Sequence, residues 1–236
     1  MNHQEKERIT EHSRIACYAA GVMEKATSYC CDVFRRNMRP GNVLELGPAE
    51  GIMTDLLFPY YKDYTVVDGA DFFVKDIIDR HPGIEGHCSL FEEFNPTKTY
   101  NNIILGHVLE HVENPVDILR TCATWLSPDG VILAAVPNSH SIHRQAAVLM
   151  GLLEKENELN DTDRRNGHRR VYNMPSLQKD FLDAGLKIIK SGGYWLKPEH
   201  NAFIDNNWND KMIDAFLQLG ESYPEIAGEI YIIAQK

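Results

Sequence analysis

No stretch of the 236-residue sequence approaches the roughly 20 consecutive apolar residues that a membrane-spanning helix needs, which argues against a helical membrane protein. The first residues are polar and contain no apolar signal core, so a soluble, cytoplasmic protein is expected. Positive charge is scarce. The 24 Lys and Arg residues stand against 34 Asp and Glu, giving a formal charge of −10 that disfavours a general nucleic-acid binder. None of the five cysteines (Cys17, Cys30, Cys31, Cys88, Cys122) makes a Cys-x-x-Cys pair, and no His/Cys cluster has zinc spacing. Reduced thiols and no metal are therefore expected. Repeats and low-complexity segments are also missing, and the length suits one large α/β domain.

What the sequence does contain is Val43-Leu44-Glu45-Leu46-Gly47-Pro48-Ala49-Glu50-Gly51. Val43 to Leu46 reads as a buried parallel strand, and a helix is expected from about Ile52 to Leu57. A strand that turns through glycines into a helix lets a ligand approach the backbone and meet free N–H groups. The dinucleotide fingerprint Gly-x-Gly-x-x-Gly is not satisfied, because Ala49 and Ile52 occupy its second and third glycine positions. That weakens a nicotinamide dehydrogenase reading. Tyr64 to Val67 is a second strand with Asp68 at its end, where a carboxylate can accept from both hydroxyls of a ribose. The competing role for Asp68 is to cap the helix that follows.

Downstream, strands are expected at 84–88, 101–105, 131–136, 186–189 and 229–234. Asn114-Pro115 has the signature of a helix start, and Ser127-Pro128-Asp129-Gly130 that of a turn. Residues 1–38 carry helical periodicity throughout, 175–184 and 212–219 form helices, and a helix is expected from about His140 through Leu153. Gly192-Gly193-Tyr194-Trp195 and the Asn-rich run 201–209 are read as a variable loop near the substrate. Between Arg164 and Arg170 lie four arginines and His168, a basic island suited to phosphate or carboxylate unless it pairs with neighbouring acids.

The Glu-x-Gly-x-x-x-Gly turn, the acid at Asp68 and the run His107-Val108-Leu109-Glu110-His111-Val112 after the fourth strand together resemble class I S-adenosylmethionine (SAM) methyltransferases of the ubiquinone and small-molecule type. The resemblance is specific over about residues 40–137 and looser elsewhere. It implies a Rossmann-like sheet of seven strands, mostly parallel, with helices on both faces, an antiparallel last strand and an N-terminal helical cap. One domain spans the chain, with the cap at 1–40, a SAM-binding core at 41–137, substrate-side insertions at 138–210 and a closing helix and strand at 211–236. SAM would contact Glu45, Gly47, Pro48, Ala49, Gly51, Asp68, Ser89, Leu90, Gly106, His107, His111 and Tyr18. Ser89 departs from the Asp usual in such enzymes, and Asn102 stands where an Asp is common.

Gly167-His168 followed by Tyr172 resembles an element near the active-site mouth of these enzymes. His168 is thus the leading general base, with His143 and His107 as further catalytic candidates. Arg144, Arg164, Arg165, Arg169, Arg170 and Tyr172 are the expected contacts to a small, anionic acceptor such as a nucleotide sugar or natural-product intermediate. O-methylation is favoured over N-methylation because hydroxyl acceptors need a base. A non-catalytic SAM-binding module and an RNA methyltransferase are the alternatives, and a homodimer is compatible with either.

Overall fold

The computed structural model describes Arg8, Ile9, Ser13 and residues 20–236. A seven-stranded sheet runs in the order β3-β2-β1-β4-β5-β7-β6. Its strands are β1 (Val43–Leu46), β2 (Tyr64–Asp68), β3 (Glu85–Cys88), β4 (Tyr100–Gly106), β5 (Leu126–Pro137), β6 (Lys187–Tyr194) and β7 (Glu229–Gln235). β7 lies antiparallel between β5 and β6, and the pairings among β1 to β5 are all parallel. The Rossmann-like architecture expected from the sequence is therefore present.

Alternation along the strands builds two cores. On one face Leu44, Leu46, Ile103, Leu105, Ile132, Ala134, Ile230 and Ile232 pack against α4 (Pro115–Trp125) and α7 (Met174–Asp183). On the other face Val43, Ile104, Val131, Leu133 and Ile233 meet α1 (Val22–Arg35), α2 (Ile52–Leu57) and α3 (Asp71–Arg80). Strands covered on both sides are mostly apolar, which is why residues 103–105 of β4 and 131–136 of β5 read as continuous hydrophobic runs, with Glu45 of β1 the buried exception. α5 (Ile142–Leu149) and α6 (Asp161–Arg165) follow β5. α8 (Asn201–Asn207) and α9 (Asp210–Leu219) pack on α1.

Three local expectations are corrected. Gly192 and Gly193 continue β6 instead of opening a loop. A Cβ on Gly192 would meet the Tyr231 ring and hydroxyl at 2.6–2.8 Å, and one on Gly193 would meet the Pro224 carbonyl oxygen at 2.8 Å, so glycine here serves close packing. The Asn-rich run is helical, with His200 and Asn209 side chains accepting the N-terminal amides of α8 and α9. Ser127 to Gly130 lies within the span of β5, as an irregularity between the Tyr100–Leu126 and Asn102–Val131 pairings. Tyr18 lies outside the described residues, as does much of the N-terminal segment expected to be helical.

A short 3-10 turn at Gly220–Ser222 closes α9 against the end of β6. A Cβ at Gly220 would come within 2.2 Å of the Trp195 backbone nitrogen, and backbone cannot swing aside as a side chain can. Gly220→Ala is expected to destabilise the protein by about 1–3 kcal/mol, read as a lowered urea midpoint with an unchanged slope.

Candidate functional site

The C-terminal ends of β1, β2, β4 and β5 share one edge, and a cavity of about 630 Å³ opens there. That size suits a nucleoside-bearing ligand. Its walls include Glu45, Gly47, Pro48, Ala49, Gly51, Asp68, Ser89, Leu90, Gly106, His107 and His111. Met23 and Thr27 of α1 also contribute, with Arg8, Ile9 and Ser13.

The turn after β1 has the backbone a close ligand needs. Gly47 and Gly51 adopt φ of 66° and 81°, and Ala49 takes φ 48° despite its methyl group. His107, at the end of β4, also lies in the left-handed region at φ 59°. Non-glycine residues held there store strain, and such strain clusters at ligand sites. Gly47 is pinned by its N–H donating to the Val67 carbonyl at 2.8 Å. A side chain at Gly106 would press on the Met53 methyl at 3.2 Å, so the strand tip stays open to the cavity.

Asp68 ends β2 with its carboxylate buried. It accepts from the Ala70 N–H at 2.8 Å and the Ala49 N–H at 3.3 Å. Each oxygen keeps a lone pair for a ligand hydroxyl. Burial pushes its pKa up to about 6, although those backbone N–H groups favour the charged form. It ties the turn to β2 and faces the cavity, while the cap position of α3 is held by Ala70. Glu45 is buried within β1, where one carboxylate oxygen accepts from Thr54 Oγ1 at 2.6 Å and from the Tyr64 hydroxyl at 2.7 Å. Burial raises it to about 7. The Ser89 hydroxyl donates to the Leu90 carbonyl at 2.9 Å, leaving its oxygen as an acceptor.

At the β4–β5 end the lining is titratable: His107, Glu110, His111 and His168. The His111 and His168 rings meet edge to face at 4.8 Å between centroids. Burial pushes His111 down to about 4 against the opposing pull of Glu110, so it is neutral at pH 7. Burial opposes charge on His107 too, yet Glu229 and Glu110 outweigh it and hold His107 up at about 9. An imidazolium is a donor and not a base, which removes His107 from the base candidates. His107 Nε2 lies 3.2 Å from the Tyr194 hydroxyl. His168 Nδ1 sits 3.3 Å from Asp163 Oδ1, an arrangement that orients the ring.

Several residues expected to touch substrate instead hold the framework. Arg144 is buried, bonded to the Glu156 carbonyl at 2.7 Å, to the Glu158 carbonyl, and to Asp163 at 3.1 Å. Arg170 donates to the carbonyls of Leu109, Val112 and Glu113 at 2.6–2.9 Å. Arg169 donates its Nε–H to the His111 carbonyl at 2.9 Å and its backbone N–H to that of Glu110 at 2.8 Å. Tyr172 is buried and gives its hydroxyl to Asp180 at 2.8 Å. Arg170 thus commits three contacts, and Arg169 its Nε–H, to main-chain carbonyls, which fixes both guanidiniums against the 109–113 segment. Arg164 and Arg165 alone of the arginine segment stay exposed, on α6. His143 does not line the cavity, and burial beside Lys197 and Arg144 pushes it down to about 3.

Glu110 and Asp163 were missed as site residues. Glu110 lay in plain view between the two histidines of the post-β4 run. Asp163 forms a capping box with Asn160 at the start of α6, a pattern readable in sequence, but its neighbour His168 is not implied by that pattern.

A glycine turn under an acid-ended second strand, at the edge of a sheet with this strand order, defines a nucleoside-cofactor-binding α/β protein. A family model described as a methyltransferase domain matches residues 22–191, and the chain belongs to that family, within the class I SAM-dependent methyltransferases. SAM is the family's cofactor, and the glycine cradle and Asp68 fit its aminoacyl and ribose portions. Among curated relatives, a "Probable S-adenosylmethionine-dependent methyltransferase" of Mycobacterium tuberculosis is 24% identical over 80% of this chain and 65% of its own length. A ubiquinone biosynthesis O-methyltransferase of Bradyrhizobium diazoefficiens is 27% identical over 46% of this chain and 47% of its own. The chain thus spans about half to two thirds of the curated relatives it matches. In fold it is similar to the N-methyltransferase NodS from Bradyrhizobium japonicum, solved with S-adenosylhomocysteine (SAH), at TM-score 0.60 and 14% identity over 99% of this chain and 97% of that one.

The carboxylate form of Asp68 is the one that accepts ribose hydroxyls. SAH affinity should therefore weaken as pH falls through about 6, and Asp68→Asn should both weaken binding about tenfold or more and flatten that dependence in calorimetry from pH 5 to 8. Without ligand the sign reverses. Asp68 has its pKa raised by folding, so protonating it between about 6 and its ordinary value of 3.8 favours the folded state, and wild type should gain stability relative to Asp68→Asn as pH falls.

Proposed function

We propose that this protein transfers the methyl group of SAM to a hydroxyl or amine of a small molecule held beside Glu110, His111 and His168. The observation that carries this reading is that one cavity is lined both by the glycine turn with Asp68 and by these three side chains. Bound there, SAM supplies an electrophilic methyl on a sulfonium sulfur. The chain's part is alignment and activation. Gly47, Ala49 and Gly51 shape the backbone cradle, Asp68 orients the ribose, and the β4–β5 end positions the acceptor.

Activation of the acceptor falls to His168, since His107 is cationic and His143 lies off the cavity. Asp163 orients its ring as the third member of a catalytic set would. A hydroxyl acceptor needs such a group, and an amine needs only to arrive deprotonated, so the histidines favour O-methylation. An anionic group on the acceptor would have to be met by Arg164 and Arg165, the arginines of the segment left exposed just before Asn166 in the cavity wall.

Incubating the protein with SAM and a panel of hydroxylated metabolites, with SAH release as readout, tests the activity. Formation of no SAH with any acceptor by a protein that binds SAH would favour the non-catalytic alternative. With an acceptor in hand, His168→Ala should lower kcat by about 10²–10⁴-fold where chemistry limits, with SAH affinity unchanged. Converting Arg164 and Arg165 together to alanine should raise the acceptor's KM if it is anionic, and leave kcat intact.

A further inference from the structure

We propose that Glu110, His111 and His168 bind a divalent first-row transition cation, such as Zn²⁺, at the acceptor end of the cavity. One ligand atom from each of the three lies within 4.8 Å of the others. Bonds of about 2.0–2.2 Å to a shared ion require only small side-chain rotations from that starting point. Two imidazoles and one carboxylate form a donor set suited to borderline first-row ions more than to Mg²⁺ or Ca²⁺.

The independent observation is Glu110 itself. Its side chain is 1% exposed, lines the cavity, and neither carboxylate oxygen has a hydrogen bond. His107 Nδ1 lies 3.6 Å from Oε1, beyond hydrogen-bond reach. A buried carboxylate that accepts no hydrogen bond is costly, and a coordinated ion offsets that cost. The imidazoles are arranged as ligands are. The Asp163 carboxylate lies 3.3 Å from His168 Nδ1, on the side from which a carboxylate supports a histidine that coordinates through Nε2.

The whole constellation is held from behind. Arg169 and Arg170 fasten the carbonyls of residues 109–113 to the His168 segment, and Arg144 fastens Asp163. An ion with three protein ligands keeps open positions. An acceptor oxygen entering one of them would have its pKa lowered, its proton passing to water, so that His168 would act as ligand and the ion as activator. This role for the ion rests on the methyl-transfer reading, whereas the cation site stands on the side-chain geometry alone.

The test is calorimetric titration of the chelator-treated full chain with Zn²⁺, with SAH titrated separately. One Zn²⁺ per chain is expected. Glu110→Gln and His111→Asn should each weaken it by more than about tenfold, while His81→Asn, which removes a surface histidine paired with Asp55, should leave it unchanged. SAH binding by each variant shows that it is folded, and if Glu110→Gln does not fold, His111→Asn decides. No Zn²⁺ binding by wild type overturns the proposal, and so does binding that survives both cluster substitutions. Failure of SAH to bind wild type would instead overturn the cofactor reading and leave the Zn²⁺ result to judge the cluster.

Discussion

The turn after β1 sets the rest of the site. Its conformation is held by the Gly47 N–H on the Val67 carbonyl, the Gly51 N–H on the Pro48 carbonyl and the Ala49 N–H on Asp68. Two of these three bonds run to β2, so the cradle exists only while β1 and β2 stay paired in register. The apolar alternation that buries both faces of the sheet fixes that register, because a one-residue slip would exchange the two faces. Core packing and ligand geometry are therefore one constraint here.

Four of the five buried carboxylates among the described residues gather at the same sheet edge: Glu45 and Asp68 on β1 and β2, Glu110 after β4, and Glu229 at the start of β7; the fifth is Asp163 on α6. In a chain already at −10 this is electrostatically unfavourable, and it raises Glu45, Asp68 and Glu229, burial being the main cause. Glu110 is the exception, drawn down by His107, His111 and His168 despite burial. Acids that resist ionisation thus stand on β1, β2 and β7, with one histidine-compensated acid, Glu110, between them after β4. Perturbed groups concentrated this way mark a working site more than a framework.

The sheet and most helices were legible because each depends on local pattern. The α2 limits at Ile52 and Leu57, the Asn114 cap and the antiparallel final strand follow from periodicity, cap chemistry and the family resemblance. The errors share a different cause. Gly192-Gly193 has loop composition, and what makes it strand is the Tyr231 ring on a distant β7. The arginine island has ligand-binding composition, and what engages it is a set of main-chain carbonyls far away in sequence. Carbonyl acceptors carry no side-chain signature, so no reading of residue types finds them. Glu110 stands between His107 and His111 in sequence, and only its third neighbour, His168, comes from another segment.

Those carbonyl contacts give the acceptor wall an unusual freedom. Arg169 and Arg170 grip the backbone of residues 109–113 and are indifferent to the side chains it carries. Val112, Glu113 and Asn114 face the cavity; Val112 also packs in the core and Asn114 caps α4, while Glu113 is exposed and held through its carbonyl. The Glu113 side chain can change without loosening these arginine contacts, while the strand-end cradle is bound into the register of the sheet. Within one molecule, one wall of the cavity is held by strand pairing and the other by side-chain grips on the main chain.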